Sequence, residues 1–286
     1  MNRALLAFPL LVGLAGVACG GSTARPPVSL APAPPVDPAT DAKIVQSLAG
    51  AQRTDAERAR DVYRHPRETL AFFGLRENMT VVEISPGGGW YTAVLAPVLR
   101  EHGKLFVVGG DPAGDPKSEG TRDAQALMAR IQKSPGTLDG VQAVVMRDPL
   151  SFGPPGSADM VLTFRNFHNW VGDPFEGKVL AAAFAVLKHG GVLGVTDHRA
   201  KDDGSRDTKA MSDTGYVPES FVVEQVEKAG FQLAGRAEIN ANPRDTKDHP
   251  KGVWTLPPSY ELGDTDRAKY QAIGESDRMT LRFVKP

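Results

Sequence analysis

Cysteine is almost absent from this chain: its 286 residues contain one, Cys19. A lone cysteine outside the folded region excludes a disulfide framework, a cysteine-rich metal site and a cysteine nucleophile in the domain. Net charge is scarce as well. Thirty-three Lys and Arg against 34 Asp and Glu leave −1, so there is no electrostatic footprint for nucleic acid and no such partner is expected. The longest apolar run, residues 4–17, is short of the roughly 20 residues a membrane helix needs. What is present suits a folded protein: 41% hydrophobic and 23% charged residues exclude wholesale disorder, and the length fits one globular domain with additions.

The additions lie at the N-terminus. Arg3 followed by the apolar residues 4–17 has the pattern of a secretory signal. Gly16-Val17-Ala18-Cys19 resembles the lipobox of bacterial lipoproteins, with Gly16 where Leu is usual. On this reading residues 1–19 are a signal peptide and Cys19 is the lipidation site; ordinary cleavage near Ala18 is the alternative. Residues 20–40, rich in Pro, Ala and Ser, read as an extended linker. The expected location is the periplasm or the outer membrane as a lipoprotein, with the lipid anchor as the membrane contact; an unused signal leaves the chain cytoplasmic.

Residues 41–286 remain for the domain, beginning with helices over 41–74. Short apolar runs at 80–84, 104–108, 141–146, 158–164 and 192–196 alternate with helical patterns at 90–100, 122–133, 176–187 and 218–229. Such alternation argues an α/β fold, a parallel sheet with helices on both faces. Two late strands, 231–239 and 279–284, are separated by the polar, Pro-rich segment 240–278. They read as an antiparallel hairpin carrying an inserted lid or substrate wall, which Trp254, Leu256 and Tyr260 would help to pack.

The most informative stretch is VVEISPGGGWYTAVLA, residues 81–96. An apolar strand ends in Glu83, a glycine cluster follows, and a helix begins. Glycines allow a sharp bend and close approach of a ligand to the peptide groups, and a helix start offers unsatisfied N–H groups. A P-loop is excluded, because no Lys-Ser/Thr pair follows the glycines. An NAD(P) site wants G-x-G-x-x-G, and Thr92 stands at the third glycine position.

With these residues the chain resembles class I S-adenosylmethionine-dependent methyltransferases over roughly residues 71–286. Glu83-Ile84-Ser85-Pro86-Gly87-Gly88-Gly89 is similar to the family's E/D-x-G-x-G-x-G motif, with Ser85 in place of the first glycine. Residues 90–96 resemble the isoaspartyl-methyltransferase version of the following helix. PGGGWYT, TFRNFHNW, VTDHRA and GESDRMTLRF look most like a bacterial group of predicted, often exported methyltransferases. The resemblance implies a Rossmann-like seven-stranded sheet with its last strand antiparallel, S-adenosylmethionine as cofactor and an unidentified small-molecule or envelope-associated methyl acceptor. It places Glu83, Ser85, Gly87 and Gly89 at the methionine part of the cofactor, Asp111 at the ribose and Asp148 at the adenine. Arg165, Asn166 and His168, after the fourth strand, face the methyl group and the acceptor.

His168 lies in FRNFHNW, where cations and amides alternate with aromatics, and a histidine can take a proton near neutral pH; a structural histidine beside Trp170 is the competing reading. Asp197 and His198 are adjacent on a strand, so their side chains should diverge and serve separate contacts. Tyr63, His65, Asp197, His198 and Trp254 are weaker candidates for the acceptor site. His168, Asp197 and His198 match no metal-ligand spacing, and no metal is expected. Residues 275–278 read as a turn with a surface ion pair, and Asp245, Lys247 and Asp248 as a solvated loop. Two other functions stay open: a non-catalytic envelope protein that binds a ligand on the methyltransferase fold, and an NAD(P)-dependent oxidoreductase.

Overall fold

The computed structural model describes Pro35 and residues 37–286. The signal-like segment, Cys19 and most of the linker lie outside the described residues. Helix α1 (Pro38–Ala49) opens the domain. The Asp37 carboxylate accepts from the Thr40 amide, and Pro38 sits in the first turn, where its missing N–H costs nothing. The helix therefore starts inside the stretch whose composition reads as linker. Short helices α2 (Asp55–Arg58) and α3 (Asp61–Arg64) follow. Then comes α4 (Pro66–Phe73), which Gly74 stops at a φ of 82°, the left-handed cap that glycine favours.

Strand and helix then alternate: β1 (Thr80–Ile84), α5 (Thr92–Leu99), β2 (Lys104–Gly109), α6 (Glu119–Gln132), β3 (Val141–Val145), β4 (Ala158–Phe164), α7 (Pro174–Val186), β5 (Leu187–His198), α8 (Thr208–Thr214), α9 (Glu219–Lys228), β6 (Gln232–Ala237), α10 (Arg267–Ile273) and β7 (Arg278–Val284). They form one seven-stranded sheet in the order β3-β2-β1-β4-β5-β7-β6. The first five strands pair in parallel, and β7 runs antiparallel to both β5 and β6. This is the arrangement the resemblance implies.

The period of two in each strand separates the two cores. Val82 and Ile84 face one side, with Val161, Leu193 and Val195, where α7 and α9 bring Val179, Ala183, Val222 and Val226. Val81 faces the other, with Leu105, Val107, Met160 and Leu162, where α1, α4 and α5 bring Ile44, Leu70, Phe73, Val94 and Leu95. Glu83 lies on this second side, 2% exposed, a carboxylate at an otherwise apolar position. The first strand pairs with β2 on one flank and β4 on the other, so the chain reverses its direction of growth there. That is the switch point, where ligands of open α/β sheets bind beyond the carboxyl ends of the strands.

Residues 275–278 are not a surface turn: all four are under 5% exposed. Nor is Asp245 part of a solvated loop. It is buried and accepts hydrogen bonds from the Tyr216 hydroxyl, the Lys247 and Asp277 amides and His249 Nε2. These bonds tie segment 240–278 to the domain, along with a 3-10 turn over Gly252–Thr255 and α10. Helix α8, capped by the Asp207 carboxylate, had no sequence counterpart. Among the described residues no helix is long and apolar enough to cross a membrane.

Candidate functional site

The loop after β1 bends through left-handed conformations. Ser85 has φ 49°, Gly87 56° and Gly89 81°. Ser85 thus holds a left-handed conformation that glycine would adopt freely, at a cost on the order of 1 kcal/mol for a residue with a Cβ. The bend is held from both neighbouring strands: the Ser85 amide donates to the Val108 carbonyl at 2.8 Å. The Asn166 side-chain amide donates to the Ile84 and Ser85 carbonyls, each at 3.1 Å. Asn166 therefore positions the loop. At Gly89 a Cβ would stand 2.6 Å from Leu127 Cδ1, whereas at Gly88 it would meet nothing within 4 Å. The loop packs on α6 at Gly89, and the Gly88 carbonyl accepts from Arg130 of the same helix at 3.2 Å.

This loop borders a cavity of about 720 Å³ at the carboxyl ends of the strands. One wall is apolar: Val107, Ala143, Val144 and Val145 from β2 and β3, with Leu127 and Met128 from α6. Glu119 and Asp123, one helical turn apart on α6, add two carboxyl groups to that wall. Burial, with Glu119 nearby, raises the pKa of Asp123. Helix α6 can come this close because Gly110 lies against Gly120, where a Cβ would collide with the Gly120 carbonyl. The opposite wall holds Arg165, His168, His198, Trp254, Ser276 and Arg278. A recess of about 100 Å³ runs from the loop to Glu83, with Arg165 and Asn166 on its rim. Burial pushes the Glu83 carboxyl up to about 7, against the Thr92 hydroxyl that donates to it at 2.6 Å.

At the end of β5, Asp197 is fully buried and serves His168: its Oδ1 accepts from His168 Nδ1 at 2.9 Å, and its Oδ2 from the His168 amide at 3.2 Å. That bond fixes the tautomer, placing the proton on Nδ1 and the lone pair on Nε2 of a ring that lines the cavity. His198 hydrogen-bonds through Nδ1 to the Ser276 hydroxyl. Burial first, and then His168, lower the pKa of His198 well below the ordinary histidine value. The three side chains meet: their ligating atoms lie within 4.8 Å of one another. The expected divergence of Asp197 and His198 does not occur: both side chains reach His168 in the loop after β4, and the His198 amide itself donates to Asp197 Oδ1 at 2.7 Å.

Of the sequence candidates, Ser85, Gly87, Arg165, Asn166, His168, His198 and Trp254 line the main cavity and Glu83 its recess. Gly89, Asp197, Tyr63, His65, Asp111 and Asp148 do not. Asp111 instead accepts from the Ala113 amide and pairs with Arg147 at 2.9 Å. Asp148 pairs with Lys178 at 3.1 Å on the surface. Tyr63 offers its backbone carbonyl to Arg278, and His65 joins α3 to α4 at φ 38°. The sequence reading missed Glu119 and Asp123, whose i, i+4 spacing was legible only with α6 begun at residue 119 rather than 122. It also missed a buried arginine cluster. Arg60 donates to Glu275 at 2.5 Å, Arg64 at 3.2 Å, and Arg278 pairs with the same carboxylate. Burial opposes ionisation of Glu275, but Arg278, Arg64 and Arg60 hold its pKa far below the usual carboxylate range.

No family model matches the sequence, and no curated protein matches it either. Solved structures do. A SAM-dependent methyltransferase from Aquifex aeolicus aligns over 86% of this chain and 98% of its own, with 18% identity and a TM-score of 0.53. The cyclase SpnF aligns over 88% and 98%, with 14% identity and a TM-score of 0.57. Phosphoethanolamine N-methyltransferase 2 of Haemonchus contortus, in complex with S-adenosyl-L-methionine, aligns over 85% of this chain and 60% of its own, with 16% identity and a TM-score of 0.50. With the strand order and the antiparallel β7, the fold is that of the class I methyltransferases.

Proposed function

We propose that this chain is an S-adenosylmethionine-dependent methyltransferase acting on a small or envelope-associated acceptor. The observation that carries the reading is the glycine loop itself. Ser85 and Gly87 bring its backbone to both the cavity and the recess, and a buried carboxyl, Glu83, lies in that recess. The loop borders a cavity large enough for a nucleoside and an acceptor together. The residues present fit the cofactor. Glu83 would take its amino group, Glu119 and Asp123 the ribose hydroxyls, and the slot between Val107, Val145, Leu127 and Met128 the adenine.

When bound, S-adenosylmethionine supplies an electrophilic methyl group on a cationic sulfur. The protein's task is then to place the acceptor in line and exclude water. His168, held by Asp197, presents Nε2 as a proton acceptor for a hydroxyl or amine nucleophile. Trp254, Pro257 and Pro258 from segment 240–278 close the acceptor side. The reading of residues 1–19 as an export signal with Cys19 lipidated belongs to the same proposal, and labelled palmitate followed by membrane fractionation tests it.

Calorimetric titration of the full chain with S-adenosylhomocysteine and with NADH tests the cofactor. The expected dissociation constant for the first is between about 1 μM and 1 mM, with no NADH binding. Gly87→Asp, which puts a carboxylate beside Asp123, should abolish it. NADH binding without S-adenosylhomocysteine binding would favour an NAD(P)-dependent protein instead. The cyclase SpnF shows that this fold also carries other chemistry. Ligand binding without transfer of a labelled methyl group to any envelope component would favour a binding protein.

A further inference from the structure

Four guanidinium groups gather where β4 and β7 meet the segment after α2. Arg60, Arg165 and Arg278 stand in the cavity wall, and Arg64 is buried behind them with its guanidinium 4.6 Å from the centre of the Trp90 ring. Among the described residues only Glu275 forms ion pairs with them, and it touches three. The fourth, Arg165, makes no side-chain hydrogen bond or ion pair among the described residues. It is also held at φ 61°, a left-handed conformation that costs an arginine energy and aims the chain after β4 at the cavity.

Nearby carboxylates are committed elsewhere. Asp197 serves His168, and Asp277 pairs with Arg199 and Lys247. Glu83, pushed up to about 7 by burial, offers no full charge. Four positive charges thus face one negative, and the partly buried Arg165 guanidinium is left without a partner among the described residues where it lines the cavity. Burial and then Arg278 lower the pKa of Arg165 to about 10, which leaves it charged at neutral pH. Nε of Arg278 and one terminal nitrogen of Arg64 are buried without a hydrogen-bond partner.

We propose that this end of the cavity recognises an oxyanion: the methyl acceptor carries a carboxylate or phosphate group that seats against Arg165, Arg60 and Arg278, beside the Ser276 hydroxyl. A guanidinium fork matches either group with paired hydrogen bonds. The word acceptor rests on the methyltransferase reading; the anion rests on the arginine geometry alone.

Phenyl phosphate and benzoate serve as probes, titrated calorimetrically into the full chain with and without saturating S-adenosylhomocysteine. Saturable binding of at least one probe is expected, and the stronger one identifies the anion. Arg165→Gln and Arg60→Gln should each weaken it about tenfold or more, while Arg60→Gln, outside the Glu83 recess, changes S-adenosylhomocysteine affinity less than about twofold. If Arg165→Gln fails to fold by circular dichroism, Arg60→Gln, at a partly exposed side chain, decides alone. Three results would overturn the proposal: neither probe binds, both variants bind like wild type, or probe and S-adenosylhomocysteine exclude each other. The last would assign the arginines to the cofactor's own carboxylate. Arginine-dependent probe binding without any S-adenosylhomocysteine binding would leave the anion site standing and remove the methyltransferase reading.

Discussion

Glu83→Gln isolates the electrostatic cost of the carboxyl beneath the glycine loop. Glu83 is buried, and its pKa rises from 4.5 to about 7. Below pH 4.5 it is protonated in the folded and unfolded chain alike, and its contribution is fully favourable. As pH rises, the unfolded chain ionises first, so folding loses stability until pH passes about 7. The loss is then complete, on the order of 3 kcal/mol. Glutamine keeps an acceptor for the Thr92 hydroxyl but carries no titrating proton. The stability difference, variant minus wild type, should therefore widen in the variant's favour by roughly 2–3 kcal/mol between pH 5 and pH 8. Paired urea unfolding curves across that range measure it, and groups common to both proteins cancel. A difference constant with pH would refute the reasoning, since it would mean that Glu83 titrates as it does in the unfolded chain. A protein bears such a cost where the carboxyl has a task. Binding of S-adenosylhomocysteine at pH 7, by pairing an ammonium with ionised Glu83, should release part of a proton. That release appears as a binding heat that depends on the buffer.

Three other substitutions probe the rest of the site. Gly110→Ala drives a methyl group into the Gly120 carbonyl, so α6 must move; a stability loss of about 1–3 kcal/mol and weaker S-adenosylhomocysteine binding are expected by denaturation and calorimetry. Glu275→Gln leaves Arg60, Arg64 and Arg278 without their shared counter-charge, and should cost about 3–5 kcal/mol in a urea melt. Asp197→Asn frees the His168 ring; once an acceptor is in hand, methyl transfer should fall about 100-fold or more with S-adenosylhomocysteine affinity unchanged.

The sheet was legible because its signals are local. Five parallel strands announced themselves as short apolar runs, the glycine cluster marked the turn after β1, and Gly74 closed a helix. Side-chain destinations were less legible. Asp111 and Asp148 sit at the strand ends where an acid is wanted, yet Arg147 and Lys178 draw both outward. Arg60 and Glu275 are 215 residues apart in sequence. Only the return of β7 beside β5 brings residues 275–278 under the N-terminal helices, so a motif that looks like a charged turn became the buried floor of a site. His168 was legible as a candidate from its neighbours, but its orienting partner Asp197 comes from another strand, through a pairing that only the fold reveals.

A crystal structure of the full chain with saturating S-adenosylhomocysteine tests the central claim most directly. The ligand is expected in the cavity at the carboxyl ends of β1 and β2, its amino group at Glu83, its amino-acid part along Gly87, and its ribose hydroxyls about 3 Å from Glu119 or Asp123. A ligand seated anywhere else, or a cavity that stays empty at millimolar concentration, would contradict it.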